Sequence, residues 1–127
     1  MKHVTVVLQA SDPIIARVCK HKFEKIAGWD IVTTTGYKDT LSEAQTTRPA
    51  ILIVELDVAD EQGHTGIDLI IAVAESQETP TMKIVALGDA FDDIEKRQAI
   101  EAGATHYYAK NDSSIMDIIH EMQKELE

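Results

Sequence analysis

Five times along the chain, a short apolar run rich in β-branched and aromatic residues is followed by a segment whose apolar positions recur at helical spacing. Parallel strands cannot be joined by a tight hairpin, so this alternation is what a parallel sheet with crossover helices requires. The runs predict strands over Val4–Gln9, Trp29–Thr35, Ala50–Leu56, Met82–Leu87 and Thr105–Ala109. Ile51-Leu52-Ile53-Val54 shows no polar alternation, as expected of a central strand buried on both faces. The fold class that follows is α/β: a single doubly wound, five-stranded parallel sheet flanked by five helices.

Start and stop signals frame the helices. Pro13 suits a first helical turn, where its missing N–H has no partner to lose, and Asp12 before it can cap the exposed amides. Gly28 ends that helix. The second helix runs from about Asp39 to Thr47 and stops before Arg48-Pro49, because proline disfavours helical geometry in the residue preceding it. The third covers about Gly66 to Ser76, with Ile67, Ile70, Ile71 and Ala74 on one side, and the fourth runs from near Asp92 to Gly103. In the fifth, Ile115, Ile118, Ile119, Met122 and Leu126 form a helical stripe behind a Ser114–Asp117 capping box. Both methionines of that helix belong to its buried side.

With 127 residues, 44% of them hydrophobic, the chain is expected to form one domain over residues 1–127, with no linker or internal repeat. It has no apolar leader and no apolar run near the roughly 20 residues that cross a bilayer, so no membrane role and a cytoplasmic location are expected. A formal charge of −10 argues against nucleic-acid binding by this domain, since phosphate backbones repel a net-negative surface. Arg17, Lys20, Lys22 and Lys25 form a basic patch, while Glu55 to Glu61 and Asp89 to Glu95 are acidic; solvated faces are the plainer account of both. Cys19 falls among Ile15, Val18, Phe23 and Ile26 and reads as a small half-buried thiol, not a nucleophile. His3, His21, His64, His106 and His120 show no metal-ligand spacing, so no metal site is expected.

In an open parallel sheet, chemistry gathers at the carboxyl ends of the strands. Here those ends are Gln9 to Asp12, Glu55 to Val58, Gly88 to Asp89 and Ala109 to Asn111. The closing stretch Glu101-Ala102-Gly103-Ala104-Thr105-His106-Tyr107-Tyr108-Ala109-Lys110 resembles the response-regulator receiver family: a glycine-alanine turn, a fifth strand with a switch aromatic, then a lysine. Arg48-Pro49-Ala50-Ile51-Leu52-Ile53-Val54, Gly66-Ile67-Asp68-Leu69 and the approach to the second helix over Gly36 to Leu41 extend the resemblance over essentially the whole chain. It implies a CheY-like, flavodoxin-like (βα)5 fold and a place in two-component signal transduction.

The same resemblance implies a phosphoacceptor aspartate, acidic ligands for Mg²⁺, a lysine that pairs with the phosphoryl charge and a hydroxyl residue that follows it. Phosphoryl transfer relies on positioning and charge neutralisation, and here most of these parts are replaced. The metal-binding acids fall on Ala10 and Ser11, with Asp12 one position late, so no cofactor is expected beyond weak Mg²⁺ at most. The phosphoacceptor falls on Glu55, whose extra methylene displaces the carboxylate by up to about 1.5 Å. The hydroxyl position falls on Gly88. Lys110 is kept, but Asn111 replaces the following proline, and the loop after Glu55 departs from the family, with Ala59 where proline is common.

Two readings of Glu55 stand: an internal partner for Lys110, or a remnant under no chemical demand. Asp57 shares its strand face and is an alternative acceptor, although the apolar run places it in the loop. Tyr107, with His106 beside it, is either a partner-binding aromatic or a strand residue covering a helix. Residues 59–65 form a loop that could bind a partner. The expected function is that of a pseudo-receiver, not an enzyme: a phosphorylation-independent interaction module for protein partners of a signalling pathway, as a monomer or weak homodimer. The first alternative is a phosphotransfer-competent receiver using Asp57 or Glu55, with Asp12 as metal ligand. The second is a flavodoxin-like module binding a small ligand at the strand ends.

Overall fold

The computed structural model describes residues 4–56, 62–77, 81–110 and 112–126. Five parallel strands, β1 (Thr5–Gln9), β2 (Asp30–Thr34), β3 (Ile51–Glu55), β4 (Lys83–Gly88) and β5 (His106–Ala109), form one sheet in the order β2-β1-β3-β4-β5. The helices are α1 (Pro13–Lys22), α2 (Tyr37–Thr47), α3 (Gly66–Ser76), α4 (Asp93–Ala102) and α5 (Ile115–Leu126). The chain therefore starts in the sheet interior, winds outward to β2, then crosses to β3 and winds the other way. The point of reversal lies between the carboxyl ends of β1 and β3. No helix among the described residues is long and apolar enough to cross a membrane.

Each face of the sheet is covered by its own apolar layer. Val6, Leu8, Ile51, Ile53, Val85 and Leu87 pack with Ala16, Phe23, Ile118, Ile119 and Met122 on the side of α1 and α5. Val7, Leu52, Val54, Ile84 and Ala86 pack with Ala44, Leu69, Ile70, Val73 and Ala99 on the side of α2, α3 and α4. Residues 51 to 54 alternate between the layers and are fully buried, which is why their sequence lacks a polar period. Each such side chain contributes about 1.5–3 kcal/mol relative to exposure.

The caps are those expected from the residue types. Asp12 accepts from the Ile14 N–H at 2.9 Å, and Asp92 accepts from Ile94 and Glu95 at 2.8 and 3.2 Å. Ser114 and Asp117 exchange backbone and side-chain bonds of 2.9 and 3.3 Å. Two details differ from the sequence expectation. The first helix widens into a π-helical turn at Phe23–Ala27 before Gly28 closes it in the left-handed region. That turn carries Phe23, fully buried and stacked on Trp29 at 5.9 Å. The second helix begins at Tyr37, not Asp39, because the Asp39 carboxylate accepts from the Gly36 and Thr35 N–H groups at 2.7 and 3.0 Å and caps it from within.

Candidate functional site

The register brings the expected residues to one end of the sheet. Ala10, at the end of β1, is buried and contributes no polar side-chain atom, while Ser11 and Asp12 are exposed. Asp12 directs one carboxylate oxygen to the amide that it caps. Glu55 closes β3 with only 7% of its surface exposed. Beyond β5 the Lys110 N–H still bonds to the Gly88 carbonyl at 2.8 Å, which carries the lysine stem across the end of β4. Its Nζ reaches Oε2 of Glu55 at 2.9 Å and lies 3.6 Å from Oδ1 of Asp89.

A nearly buried carboxylate is costly without a counter-charge, and a charge-assisted hydrogen bond of this length supplies one. Gly66 holds the other side of the site. A Cβ there would lie 2.6 Å from the Glu55 carbonyl oxygen and 2.8 Å from Leu56 Cα, so only glycine lets α3 start this close to β3. Burial pushes the nearby Cys19 thiol pKa up, with the Lys22 charge opposing and Glu55 reinforcing, as suits an unreactive thiol. Asp57 and Asn111 lie outside the described residues, as do residues 59–61 of the 59–65 loop. At the end of that loop, His64 stacks on Tyr37 at 4.0 Å.

On the α4 side, Tyr107 turns inward over Gly88. Its hydroxyl donates to Oε1 of Glu95 at 2.9 Å and lies 3.3 Å from the Ala90 carbonyl. Desolvation, then the Glu95 carboxylate, push its pKa up to about 12. A Cβ on residue 88 would fall 2.2 Å from Glu95 Oε1 and 2.6 Å from Tyr107 Oη. Glu95 was not among the residues expected from sequence. Its signal was indirect: a glycine at the end of β4 leaves a space beside the aromatic of β5, and the third residue of a helix capped by Asp92 can reach it.

His106 and Tyr107, the pair that the sequence offers for partner binding, have separate surroundings in the structure. Successive strand residues point to opposite faces, so Tyr107 faces α4 while His106 turns to α5, where its Nε2 meets the Glu125 carboxylate. The His106 side chain is only 15% exposed and has the carboxylates of Glu121 and Glu125 as neighbours. Beside Tyr107 the exposed Phe91 makes edge-on contact at 6.0 Å, and Ile94 and Ile100 are exposed on α4. Ile14, Ile15 and Val18 are exposed along α1 among Arg17 and Lys20. A cavity of 490 Å³ lined by Arg48, Pro49, Val73, Ser76 and Met82 lies at the amino ends of the strands, away from the end where a small ligand was envisaged.

No family model and no curated protein matches the chain. Solved structures do match. Chemotaxis protein CheY4 of Vibrio cholerae superposes with a TM-score of 0.84 at 19% identity, covering 97% of this chain and 98% of that one. A CheY-like receiver domain protein of Methanospirillum hungatei gives 0.85 at 15% identity, covering 98% and 94%. A LuxR-family two-component response regulator of an Aurantimonas species gives 0.84 at 18%, covering 98% and 86%. The chain thus has the CheY-like, flavodoxin-like fold, and its structural neighbours are response-regulator receiver domains.

Proposed function

We propose that this chain is a receiver-type domain of two-component signalling that works without phosphorylation, presenting a constant surface to a protein partner. The observation that carries the reading is the Glu55–Lys110 ion pair, which joins the acidic residue at the acceptor position directly to the lysine that would otherwise pair with a phosphoryl group. Among the described residues, the donor set at the strand ends does not fit Mg²⁺, which wants several carboxylate or water oxygens in octahedral array. Ala10 offers no donor, Asp12 caps α1, and Glu55 is held by Lys110. No phosphoryl-transfer step follows from such a set.

The surface that this arrangement holds constant lies around α4 and β5. With Tyr107 bonded to Glu95, the apolar groups facing solvent there include Phe91 and Ile94, 51% and 68% exposed, and Ile100 on α4. They suit a partner that buries aromatic and aliphatic side chains at its centre. The test is to record amide NMR spectra while adding Mg²⁺ and then beryllofluoride. Absence of saturable shifts at Asp12, Glu55, Gly88 and Lys110 supports the reading. Saturable shifts spreading to Tyr107, or a phosphoryl mass gain abolished by Glu55→Gln or Asp57→Asn, would replace it with the phosphotransfer-competent receiver.

A further inference from the structure

A second cluster of ligating groups lies where α5 crosses the edge strand, apart from the strand-end site. Glu121 and Glu125 are one helical turn apart on α5, so both carboxylates hang from the same side and face His106 on β5. Ligand atoms of the three residues lie within 4.8 Å of one another. Nε2 of His106 bonds to Oε2 of Glu125 and stands 3.6 Å from Oε1 of Glu121. The histidine is largely enclosed, while Glu121 is 49% exposed, leaving an open side for water.

The orientation of the imidazole is set from behind, by groups outside the cluster. The Thr105 hydroxyl donates its one hydrogen to the Ile84 carbonyl at 3.0 Å and accepts from the Ile84 N–H at 2.9 Å. Toward His106 Nδ1, 2.9 Å away, it can therefore act only as an acceptor. Nδ1 carries a hydrogen and Nε2 is the nitrogen turned toward the two glutamates. A bare Nε2 lone pair facing two carboxylates is repulsive, so a cation belongs between them, either a proton or a metal ion. Anchoring of Nδ1–H by a neighbouring oxygen is the support that metal-ligating histidines use to fix their tautomer.

We propose that His106 Nε2 and one oxygen each from Glu121 and Glu125 bind a divalent transition-metal ion of the zinc class, with water completing the coordination. One imidazole with two carboxylates suits such borderline ions, whereas Mg²⁺ and Ca²⁺ favour all-oxygen sets. Ligands at about 2.0–2.2 Å from an ion stand about 3–3.5 Å from one another. Glu121 is already near that separation from Nε2, and Glu125 must retreat by less than about 1 Å. Lys83, with its Nζ 3.4 Å from Oε1 of Glu125, holds the other oxygen of that carboxylate, and its charge opposes an incoming cation. A bound ion would join β5 to the last turns of α5. This proposal does not depend on the reading of the strand-end site.

Zinc chloride titrated into the whole chain at neutral pH, followed by calorimetry and by the imidazole nitrogen resonances, tests it. One equivalent should saturate the site, with the shift confined to Nε2 of His106 while Nδ1 stays protonated. His106→Gln and Glu121→Gln should each weaken binding at least about tenfold. Lys83→Gln should tighten it several-fold by removing the opposing charge. His120→Gln, on the exposed side of α5, and Cys19→Ser should leave it unchanged, and circular dichroism verifies that each variant is folded. Absence of saturable binding at millimolar zinc would overturn the proposal. So would binding that persists in folded His106→Gln, or that is lost in His120→Gln or Cys19→Ser.

Discussion

The Tyr107 hydroxyl and the Glu95 carboxylate meet at 2.9 Å across the face of Gly88, filling the space that a side chain at position 88 would occupy. The conformation of the strand aromatic is thereby tied to the lack of a side chain two strand positions away in the ladder. β4 and β5 pair Ala86 with Tyr107 and Gly88 with Ala109, so the ring lies diagonally over the glycine.

Gly88→Ala should therefore displace Tyr107. The new methyl would stand 2.6 Å from the Tyr107 hydroxyl oxygen, and while Glu95 can swing away, the tyrosine ring at 3.2 Å must also give. We expect a loss of about 1–2 kcal/mol in urea unfolding, in the range of other overpacking substitutions. The loss should shrink in a Tyr107→Ala background, because contacting sites are not additive. A fluorine-labelled tyrosine at 107 should report the ring moving to solvent in Gly88→Ala. Equal losses in both backgrounds would contradict this coupling.

Glu55→Gln removes the counter-charge of Lys110 while preserving shape. Because Lys110 is 35% exposed and also has Asp89 at 3.6 Å, the expected loss is moderate, about 1–2 kcal/mol. A double-mutant cycle with Lys110→Gln should give a coupling of about 1 kcal/mol. Glu55→Asp alone should not confer Mg²⁺-dependent phosphorylation, since Ala10 and Ser11 still supply no carboxylate. Intact-mass measurement after incubation with a small phosphodonor checks that outcome.

The architecture was legible because burial leaves a period in the sequence. All five strands fall within a residue or two of the apolar runs, and Asp12, Asp92, Gly28 and Gly103 mark helix ends by chemistry that acts over a few residues. What the sequence hid depends on three-dimensional direction. That Glu95 reaches Gly88, and that Glu121 and Glu125 converge on His106, follows from how far α4 and α5 rotate over the sheet, which no local pattern encodes. The π-helical turn at Phe23–Ala27 was hidden for a similar reason: its apolar residues fit an ordinary helix equally well. Adjacent in sequence, His106 and Tyr107 turn to opposite faces because side chains alternate along a strand.

The phenol of Tyr107 ties stability to alkaline pH. Its folded-state pKa of about 12 lies above the unfolded value near 10, so its contribution is complete below about pH 10 and is lost as pH rises through about 12. Tyr107→Phe should cost about 0.5–1.5 kcal/mol near neutrality through loss of the Glu95 bond. The difference between wild type and variant should be flat up to about pH 10 and then shrink. Chemical denaturation of both proteins at a series of pH values tests this, and a difference unchanged across the alkaline range would show that the hydroxyl is not held by Glu95.

Asp39 makes the opposite dependence at acid pH. Burial alone would raise its pKa, but the N–H donors of Thr35 and Gly36, with those of Asp39 and Thr40, outweigh that and hold the carboxyl below its ordinary value. A depressed folded-state pKa stabilises above the unfolded value of about 3.9 and is lost as pH falls through the folded one. At neutral pH, Asp39→Ala should cost about 1 kcal/mol and fray the first turn of α2, as loss of a capping acceptor does. The cost should vanish once the wild-type carboxyl is protonated, when it no longer accepts strongly from Gly36 at 2.7 Å and Thr35 at 3.0 Å. Amide exchange at Gly36 and Thr35 offers a local check. It should quicken in Asp39→Ala at neutral pH and converge with the wild type in acid, once the intrinsic pH dependence of exchange is divided out. A persistent gap in acid would mean that packing of the side chain, and not its charge, sets the start of α2.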